Sequence, residues 1–281
     1  MIKREDLIHP FISGNKFRKL KYNLLEALNN ELGTVVTFGG AYSNHIAATS
    51  YAGKAYGLRT IGVIRGEELA TNWRNNPTLS LAHDHGMRFM FISRTQYRNK
   101  TDSVFYKSLQ DEIGPFYMVP EGGTNTLAVK GCEEILTKAD SSFNVICSSV
   151  GTGGTMAGII NSSDPGQQIL GLTSLKGDFL IKDIRKFAVR ENWILNMDYH
   201  FGGYAKVSGT LIEFINYFKE RTGIPTDPIY TGKLIFGILD LVKRDYFMPG
   251  TKILAIHTGG LQGISGMNRV LKKRQLPLIK V

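Results

Sequence analysis

Short apolar runs alternate with longer helical patterns along the whole chain, and this alternation limits the fold more than any other feature. Several runs are apolar throughout, which is typical of parallel strands buried on both faces. Strands that alternate with helices predict an α/β architecture with right-handed crossovers. The predicted strands are residues 34–38, 60–64, 89–93, 116–119, 144–148, 169–173, 196–200 and 252–257.

The helical patterns fall between these runs. In the clearest of them, Thr210 and Glu213 have the spacing of a capping box, which predicts a helix start beside them. The predicted helices are residues 19–29, 44–56, 76–85, 126–138, 208–222, 234–244 and 263–273.

The composition is that of a globular protein with an excess of basic residues. Among 281 residues, Lys and Arg exceed Asp and Glu by 34 − 24 = 10, and 42% of the residues are hydrophobic. The basic residues are scattered, and the densest run, 272–274, is short. No zinc-finger spacing or aromatic RNA-binding segment accompanies them. We therefore expect anionic small molecules, and no nucleic acid, as partners.

Two cysteines, Cys132 and Cys147, stand far apart, so the spacing predicts neither a metal site nor a disulfide framework. Reduced thiols are typical of the cytoplasm. The first residues lack the apolar core of a signal peptide, and no run of 18 apolar residues predicts a membrane span. These features predict a cytoplasmic protein that does not bind a membrane.

Ligands of parallel α/β folds bind beyond the carboxyl ends of the strands. After strand 34–38 comes GGAYSNH, residues 39–45, followed by a helix. Ser43 and Asn44 occupy the helix start, where backbone N–H groups are free. This segment is either a plain helix cap or a turn that binds a carboxylate, with Asn44 reaching a ligand hydroxyl.

After strand 144–148 comes VGTGGT, residues 150–155, which also opens a helix. Free N–H groups, two Thr hydroxyls and the positive helix end suit a phosphate. The spacing is neither G-x-G-x-x-G nor a Walker A loop. The alternative is a glycine turn needed only for close packing of strand and helix.

A third segment, GNKFRKL at residues 14–20, contains three basic residues within four positions. Lys16 is either a solvated lysine at a helix start or a covalent nucleophile. A lysine amine forms a Schiff base with a carbonyl cofactor when desolvation or neighbouring cations lower its pKa. Arg18 and Lys19 are candidates for those cations.

Taken together, these segments resemble the fold-type II pyridoxal-phosphate enzymes, and within them the group of 1-aminocyclopropane-1-carboxylate deaminase and D-cysteine desulfhydrase. The matching segments occur in the family's order over nearly the whole chain. They are KRED (3–6), GNKFRKL (14–20), GGAYSNH (39–45), VGTGGT (150–155), DPIYTGK (227–233) and HTGG (257–260).

The resemblance implies a two-domain, three-layer α/β/α fold of the tryptophan synthase beta type with mostly parallel sheets. It implies a large cofactor-binding domain, residues 1–19 and 118–281, and a small domain, residues 20–117, that closes on the substrate. It also implies a homodimer that acts on a small amino acid.

The resemblance also assigns roles to individual residues. Lys16 carries pyridoxal 5′-phosphate as a Schiff base and is catalytic, together with Ser43, Tyr204 and Tyr230. Ser43, Asn44 and His45 contact the substrate. The remaining cofactor contacts are Asn44, Gly151, Thr152, Gly153, Gly154, Thr155, Thr231 and Thr258. No metal is implied.

The chain departs from the family in three segments. The family carries additional residues before the segment that begins at Lys3, it often has Arg-Gln-Thr where residues 46–49 here read IAAT, and its middle region is longer than residues 164–196. Substrate contacts from these parts are not carried over.

Thr231 decides the expected reaction. Cyclopropane deaminases of the family have Glu at the matching position, and a carboxylate there favours a protonated pyridine ring. A neutral Thr favours easier chemistry, so we expect β-elimination from D-cysteine, giving a 2-oxo acid, ammonia and sulfide. Ring opening of 1-aminocyclopropane-1-carboxylate is the alternative. A nucleotide-binding oxidoreductase and a catalytically silent cofactor binder are the other classes.

Overall fold

The computed structural model describes residues 1–280 and contains two parallel β-sheets with helices around them. The strands are β1 (Ile2–Lys3), β2 (Thr34–Gly39), β3 (Arg59–Arg65), β4 (Arg88–Ile92), β5 (Tyr117–Val119), β6 (Val145–Val150), β7 (Gln168–Thr173), β8 (Trp193–Asn196) and β9 (Ile253–Ile256). One sheet has the order β1-β9-β6-β7-β8 and the other β4-β3-β2-β5. Every strand pair is parallel, as the continuous apolar runs predict.

The α-helices connect and cover these strands. They are α1 (Asn15–Asn29), α2 (Asn44–Ala55), α3 (Pro77–Asp84), α4 (Arg94–Arg98), α5 (Ser103–Ile113), α6 (Thr126–Cys132), α7 (Gly154–Ser162), α8 (Phe179–Arg185), α9 (Gly209–Thr222), α10 (Thr231–Lys243) and α11 (Gly263–Lys273). None of the helices within residues 1–280 has both the length and the apolar character needed to cross a membrane.

Both faces of the five-stranded sheet are buried, which accounts for its apolar strands. On β6, Ile146 packs in a cluster with α7 and α8, whereas the next residue, Cys147, packs with α10 on the other face. The four-stranded sheet repeats this pattern, with Val35 packed against α1 and α2 and Val36 packed towards α5. The two sheets, each between helical layers, form the predicted α/β architecture.

Ion pairs fix the N-terminal segment to the larger sheet and to α1. Arg4 pairs with Asp6, whose buried carboxylate lies 3.3 Å from the ring of His257. Glu5 accepts two hydrogen bonds from the guanidinium of Arg18. The charged residues of the KRED segment are therefore structural, because they hold the start of α1 against the end of β9.

Several local predictions differ from the structure. The expected strand 196–200 is wrong, because β8 ends at Asn196 and residues 198–205 form turns and bends. The Thr210–Glu213 capping box is also wrong, since Ser208 is the N-cap of α9 and accepts from the N–H of Leu211. Helices α4, α5 and α8, and the two-residue strand β1, were not predicted.

Candidate active site

A cavity of about 510 Å³ opens between the carboxyl ends of β2, β3, β6 and β9, within the size range usual for small-molecule sites. Most of the site residues named above lie on its wall. They are Lys16, Ser43, Asn44, His45, Gly151, Thr152, Gly153, Thr155, Tyr204, Tyr230 and Thr258. Gly154 and Thr231 do not line it.

Lys16 is the second residue of α1, and the preceding turn aims it into the cavity. Gly14 has a φ of 59°, and a Cβ there would lie 2.0 Å from the carbonyl oxygen of Thr258, so only glycine fits. The Nζ of Lys16 lies 3.4 Å from the carbonyl oxygen of Gly122. Burial, and then the charge of Lys19, lower the pKa of Lys16 to about 7.

Arg18 has a different role from the one expected of it. Its guanidinium is bound by the carboxylates of Glu5 and Glu134, so its charge is already neutralised. Lys19 is the neighbouring cation that affects Lys16.

Lys19 lines the cavity as a buried cation, whereas sequence reasoning named it only as a candidate neighbour of Lys16. It is 1% exposed, and its Nζ donates to the carbonyl of Gly122 at 3.0 Å and to the hydroxyls of Thr124 and Thr152 at 2.9 and 3.2 Å. No carboxylate within residues 1–280 pairs with it, and burial lowers its pKa to about 8. Its spacing of three residues from Lys16, which puts both on one helix face, was the available signal.

The loop 151–155 leaves the start of α7 open to a ligand. Gly153 precedes the helix with a left-handed φ of 79°, and no side chain caps the first turn. The first N–H groups of a helix need such an acceptor. The side-chain amide of Asn15 donates to the hydroxyl of Thr155 at 2.8 Å, which ties the lysine-bearing turn to this loop.

The segment 39–45 forms the turn into α2. Ser43 is its N-cap and accepts from the N–H of Ile46 at 3.3 Å. The side chain of Asn44 lies against Gly260, where an added Cβ would be 2.8 Å from the amide nitrogen. Both the cap and the amide side chain are therefore present at one helix start.

The hydrogen bonds of His45 define its tautomer. The hydroxyl of Thr37 donates to the carbonyl of Val119, so its oxygen accepts from Nε2 of His45 at 2.8 Å. The other ring nitrogen, Nδ1, is a buried acceptor without a partner in the structure. Burial, with the charges of Lys16 and Lys19, holds the pKa of His45 well below its usual value. His45 is thus a neutral acceptor at the cavity wall.

Tyr204 and Tyr230 both line the cavity, and their ring centroids are 6.4 Å apart. The ring of Tyr230 packs against Gly151, where a Cβ would lie 3.0 Å from it. Burial raises the pKa of Tyr230 well above its usual value, so its hydroxyl stays protonated and can donate. Tyr204 is 45% exposed and stands nearer the mouth of the cavity.

Thr231 lies behind the wall and is bound to Asp227. Its hydroxyl accepts from the N–H of Asp227 and donates to the carboxylate of the same residue, both at 2.8 Å. Burial raises the pKa of Asp227. Among the described residues, Glu121 is the one carboxylate that lines the cavity, and it pairs with Lys100 at 3.1 Å.

These features fit pyridoxal phosphate. The cavity combines a buried amine with a pKa near 7, an uncapped helix start for a phosphate, and the uncompensated cation of Lys19 beside it. Asn44 offers an amide for the ring hydroxyl. A Schiff-base cofactor with a phosphate group requires these groups together.

Comparison with known proteins identifies the class. Residues 1–259 match the family model "Pyridoxal-phosphate dependent enzyme". A Pyrococcus horikoshii protein named "Putative 1-aminocyclopropane-1-carboxylate deaminase" is 33% identical, with 93% of this chain and 84% of that protein covered. The chain therefore belongs to the pyridoxal-phosphate dependent enzymes, in the 1-aminocyclopropane-1-carboxylate deaminase and D-cysteine desulfhydrase group, and its cofactor is pyridoxal phosphate.

Two further relatives place the chain within that group. The Arabidopsis thaliana "Bifunctional D-cysteine desulfhydrase/1-aminocyclopropane-1-carboxylate deaminase, mitochondrial" is 30% identical, over 94% of this chain and 72% of that protein. The crystal structure of an "ACC deaminase homologue" superposes with a TM-score of 0.82 at 29% identity, covering 97% of this chain and 87% of that one. The family match does not support the oxidoreductase alternative.

Proposed function

We propose that this enzyme catalyses β-elimination from a small amino acid, D-cysteine first, in preference to opening the ring of 1-aminocyclopropane-1-carboxylate. One observation carries the preference. The carboxylate nearest Thr231, that of Asp227, is kept off the cavity wall by four hydrogen bonds from residues 229–231. Among the described residues, the one carboxylate on the cavity wall, Glu121, is paired with Lys100, so none is free to keep a pyridine nitrogen protonated.

The cofactor would be held at three points. The free N–H groups at residues 151–155, with the ammonium of Lys19, suit the phosphate. Asn44 suits the ring hydroxyl, and Lys16 suits the covalent attachment. Thr258, whose hydroxyl lies 3.3 Å from that of Ser149, adds a further polar contact on the β9 side.

The substrate carboxylate would bind at the start of α2. The Gly39–Gly40 turn exposes this helix end, and the N–H groups of Asn44 and His45 precede those bonded within the helix. Ser43 stands beside them. The neutral phenols of Tyr204 and Tyr230 line the same cavity and would orient the amino acid.

The chemistry divides between cofactor and protein. When bound, pyridoxal phosphate draws electrons from the bonds to the substrate's α-carbon. Lys16, with its low pKa, is the group that would take the α-proton on Nζ once the substrate amine has displaced it. Tyr230, which stays protonated, would donate to the departing sulfur.

Steady-state assays of the purified holoenzyme on both substrates test this proposal. We expect a higher kcat/KM for D-cysteine, with sulfide, ammonia and a 2-oxo acid formed in equal amounts. L-Cysteine serves as the stereochemical control, and Lys16→Ala should abolish both activities. A higher kcat/KM for 1-aminocyclopropane-1-carboxylate would contradict the argument from Thr231.

We also propose that the chain folds as two domains that meet at this cavity. The pairing of Val119 with Thr37 keeps β5 in the four-stranded sheet. This pairing favours a boundary just after Val119, slightly later than the expected residue 117. Limited proteolysis with and without cofactor would test it, since closure should protect the segment that follows Val119.

A cytoplasmic homodimer is our remaining proposal. Both thiols are free and buried, as expected where proteins are kept reduced. Phe11 stacks on Tyr51 with centroids 4.5 Å apart and stays 47% exposed, which suits a contact with a second copy. Light scattering should give twice the chain mass of 31.2 kDa, and a mass of one chain would refute the dimer.

A further inference from the structure

Arg65 is a cation on the cavity wall to which the family resemblance assigns no role. It is the last residue of β3, at the carboxyl edge of the four-stranded sheet, and its side chain is exposed to the cavity. Its guanidinium lies 5.7 Å from the ring centroid of Tyr97. Its Nη2 lies 3.7 Å from the position that a Cβ would take at Gly40. Arg65 therefore stands over the turn that leads to Ser43.

The charge of Arg65 is not neutralised within residues 1–280. Among residues 1–280, no carboxylate lies within 4.0 Å of the guanidinium and no group accepts a hydrogen bond from it. Glu121, the one carboxylate on the wall, is 3.1 Å from Lys100, whose Nζ lies 4.8 Å from the same Tyr97 ring. The local acid is thus already paired, and Arg65 remains an unneutralised cation.

The other cations of the cavity have separate positions. Lys16 and Lys19 both contact the carbonyl of Gly122, on the side of the phosphate loop. Arg65 comes from the four-stranded sheet, on the side of α2 and its turn. An anion at Arg65 would therefore be part of the substrate and not of the cofactor.

We propose that Arg65 binds an anionic group carried by the β-substituent of the substrate, so that the enzyme accepts amino acids with a negatively charged β-substituent in addition to D-cysteine. This inference rests on the proposed function and names its substrate class. The α-carboxylate has its own site in the N–H groups at the start of α2. A planar guanidinium binds an oxyanion such as a carboxylate or phosphate through two parallel hydrogen bonds.

The same position suits the elimination step. The α-proton moves to Nζ of Lys16, a double bond forms between the α- and β-carbons, and the bond from the β-carbon to its substituent breaks. A substituent joined to the β-carbon through oxygen or sulfur leaves with that electron pair, and its negative charge stays beside the guanidinium. Water then releases the 2-oxo acid and ammonia.

Calorimetric titration of the holoenzyme with aspartate and asparagine tests the proposal without requiring turnover. The two ligands match in size and differ in the charge of the β-substituent, and both enantiomers are used. We expect the enzyme to bind the preferred enantiomer of aspartate at least about tenfold more tightly than the same enantiomer of asparagine.

Three variants complete the experiment. Arg65→Met should remove the preference for aspartate and leave the affinity for asparagine unchanged. Arg65→Lys should keep part of the preference for aspartate, because lysine retains the positive charge but lacks the two parallel N–H donors of the guanidinium. Arg59→Met, at the opposite end of the same strand, is the matched control and should behave as wild type.

Two results would overturn the inference. One is equal binding of aspartate and asparagine by the wild type. The other is an equal loss of affinity for aspartate and asparagine in Arg65→Met, which would mean that Arg65 binds the α-carboxylate. An enzyme that turns over neither proposed substrate yet prefers aspartate through Arg65 would refute the proposed reaction and support this inference.

Discussion

Replacement of Lys19 by Met removes a buried charge while keeping a side chain of similar length. In the wild type the ammonium lies beside Thr152 and the open start of α7. A hydrogen bond between charged groups contributes about 1.5–3 kcal/mol. Since 1.4 kcal/mol is a factor of ten, Lys19→Met should raise the Kd for pyridoxal phosphate about ten- to hundredfold.

The assay compares pyridoxal phosphate with pyridoxal, which lacks the phosphate. Both ligands use the Lys16 amine, so any change at Lys16 affects their Kd values alike. Lys19→Met should weaken only the phosphorylated ligand. An equal loss of affinity for both would show that Lys19 acts on something other than the phosphate, and the reasoning would be refuted.

The same substitution has a consequence for the stability of the cofactor-free protein. The Lys19 pKa is 10.5 when unfolded and about 8 when folded, so between these values only the unfolded chain holds the proton. Stability therefore rises with pH in this window. From pH 7 to pH 9.5 the Lys19 contribution is about 2 kcal/mol, since one pKa unit is about 1.4 kcal/mol. Urea unfolding should show that much less pH dependence in Lys19→Met.

Three further outcomes are expected. The rate at which the cofactor-free protein captures pyridoxal phosphate should rise about tenfold per pH unit below pH 7 and level off above it, because only the neutral Lys16 amine reacts. Stopped-flow absorbance measures this rate. A rate that kept rising to pH 10 would contradict the low pKa of Lys16. Gly153→Ala should lower the free energy of unfolding, measured with urea, by about 1–2 kcal/mol, because residue 153 has a left-handed φ and an added Cβ would lie 2.9 Å from Ile184. The same substitution should weaken cofactor binding. An unchanged Kd for pyridoxal phosphate would argue against the loop's role. The His45 ring should titrate by NMR well below pH 6.5, and a midpoint at or above 6.5 would refute its neutral state.

The architecture was predictable because it depends on hydrophobic patterns that extend over whole strands and helices. The continuous apolar runs at β2, β6 and β7 are buried on both faces, and the structure gives them the expected parallel pairing. The short β8 was misplaced because the apolar residues 193–195 directly precede a polar turn that also contains Tyr199 and Phe201. Short amphipathic helices such as α5 carry too few apolar positions to stand out.

The site residues were predictable where a motif directly follows a strand. They were less predictable where their hydrogen-bond or ion-pair partners lie far away in the sequence. Ser43 and the loop 151–155 meet at one cavity, as their positions after predicted strands suggest, whereas Lys16 follows no predicted strand and was assigned to the site by the family resemblance. The neutralisation of Arg18 depends on Glu5 and Glu134, which no local pattern connects to it. Likewise, the hydrogen bond from the Thr231 hydroxyl to the Asp227 carboxylate depends on the backbone geometry at the start of α10, which the sequence does not show.

The central claim is that Lys16 carries the cofactor, and the structure makes the test sharp because two buried lysines contact the same carbonyl oxygen of Gly122. Borohydride reduction of the holoenzyme followed by peptide mapping identifies the attached residue. Nζ of Lys19 already donates to Gly122, Thr124 and Thr152, whereas Nζ of Lys16 has one contact within residues 1–280, at 3.4 Å, so we expect a single label on Lys16. A label on Lys19 would contradict the account.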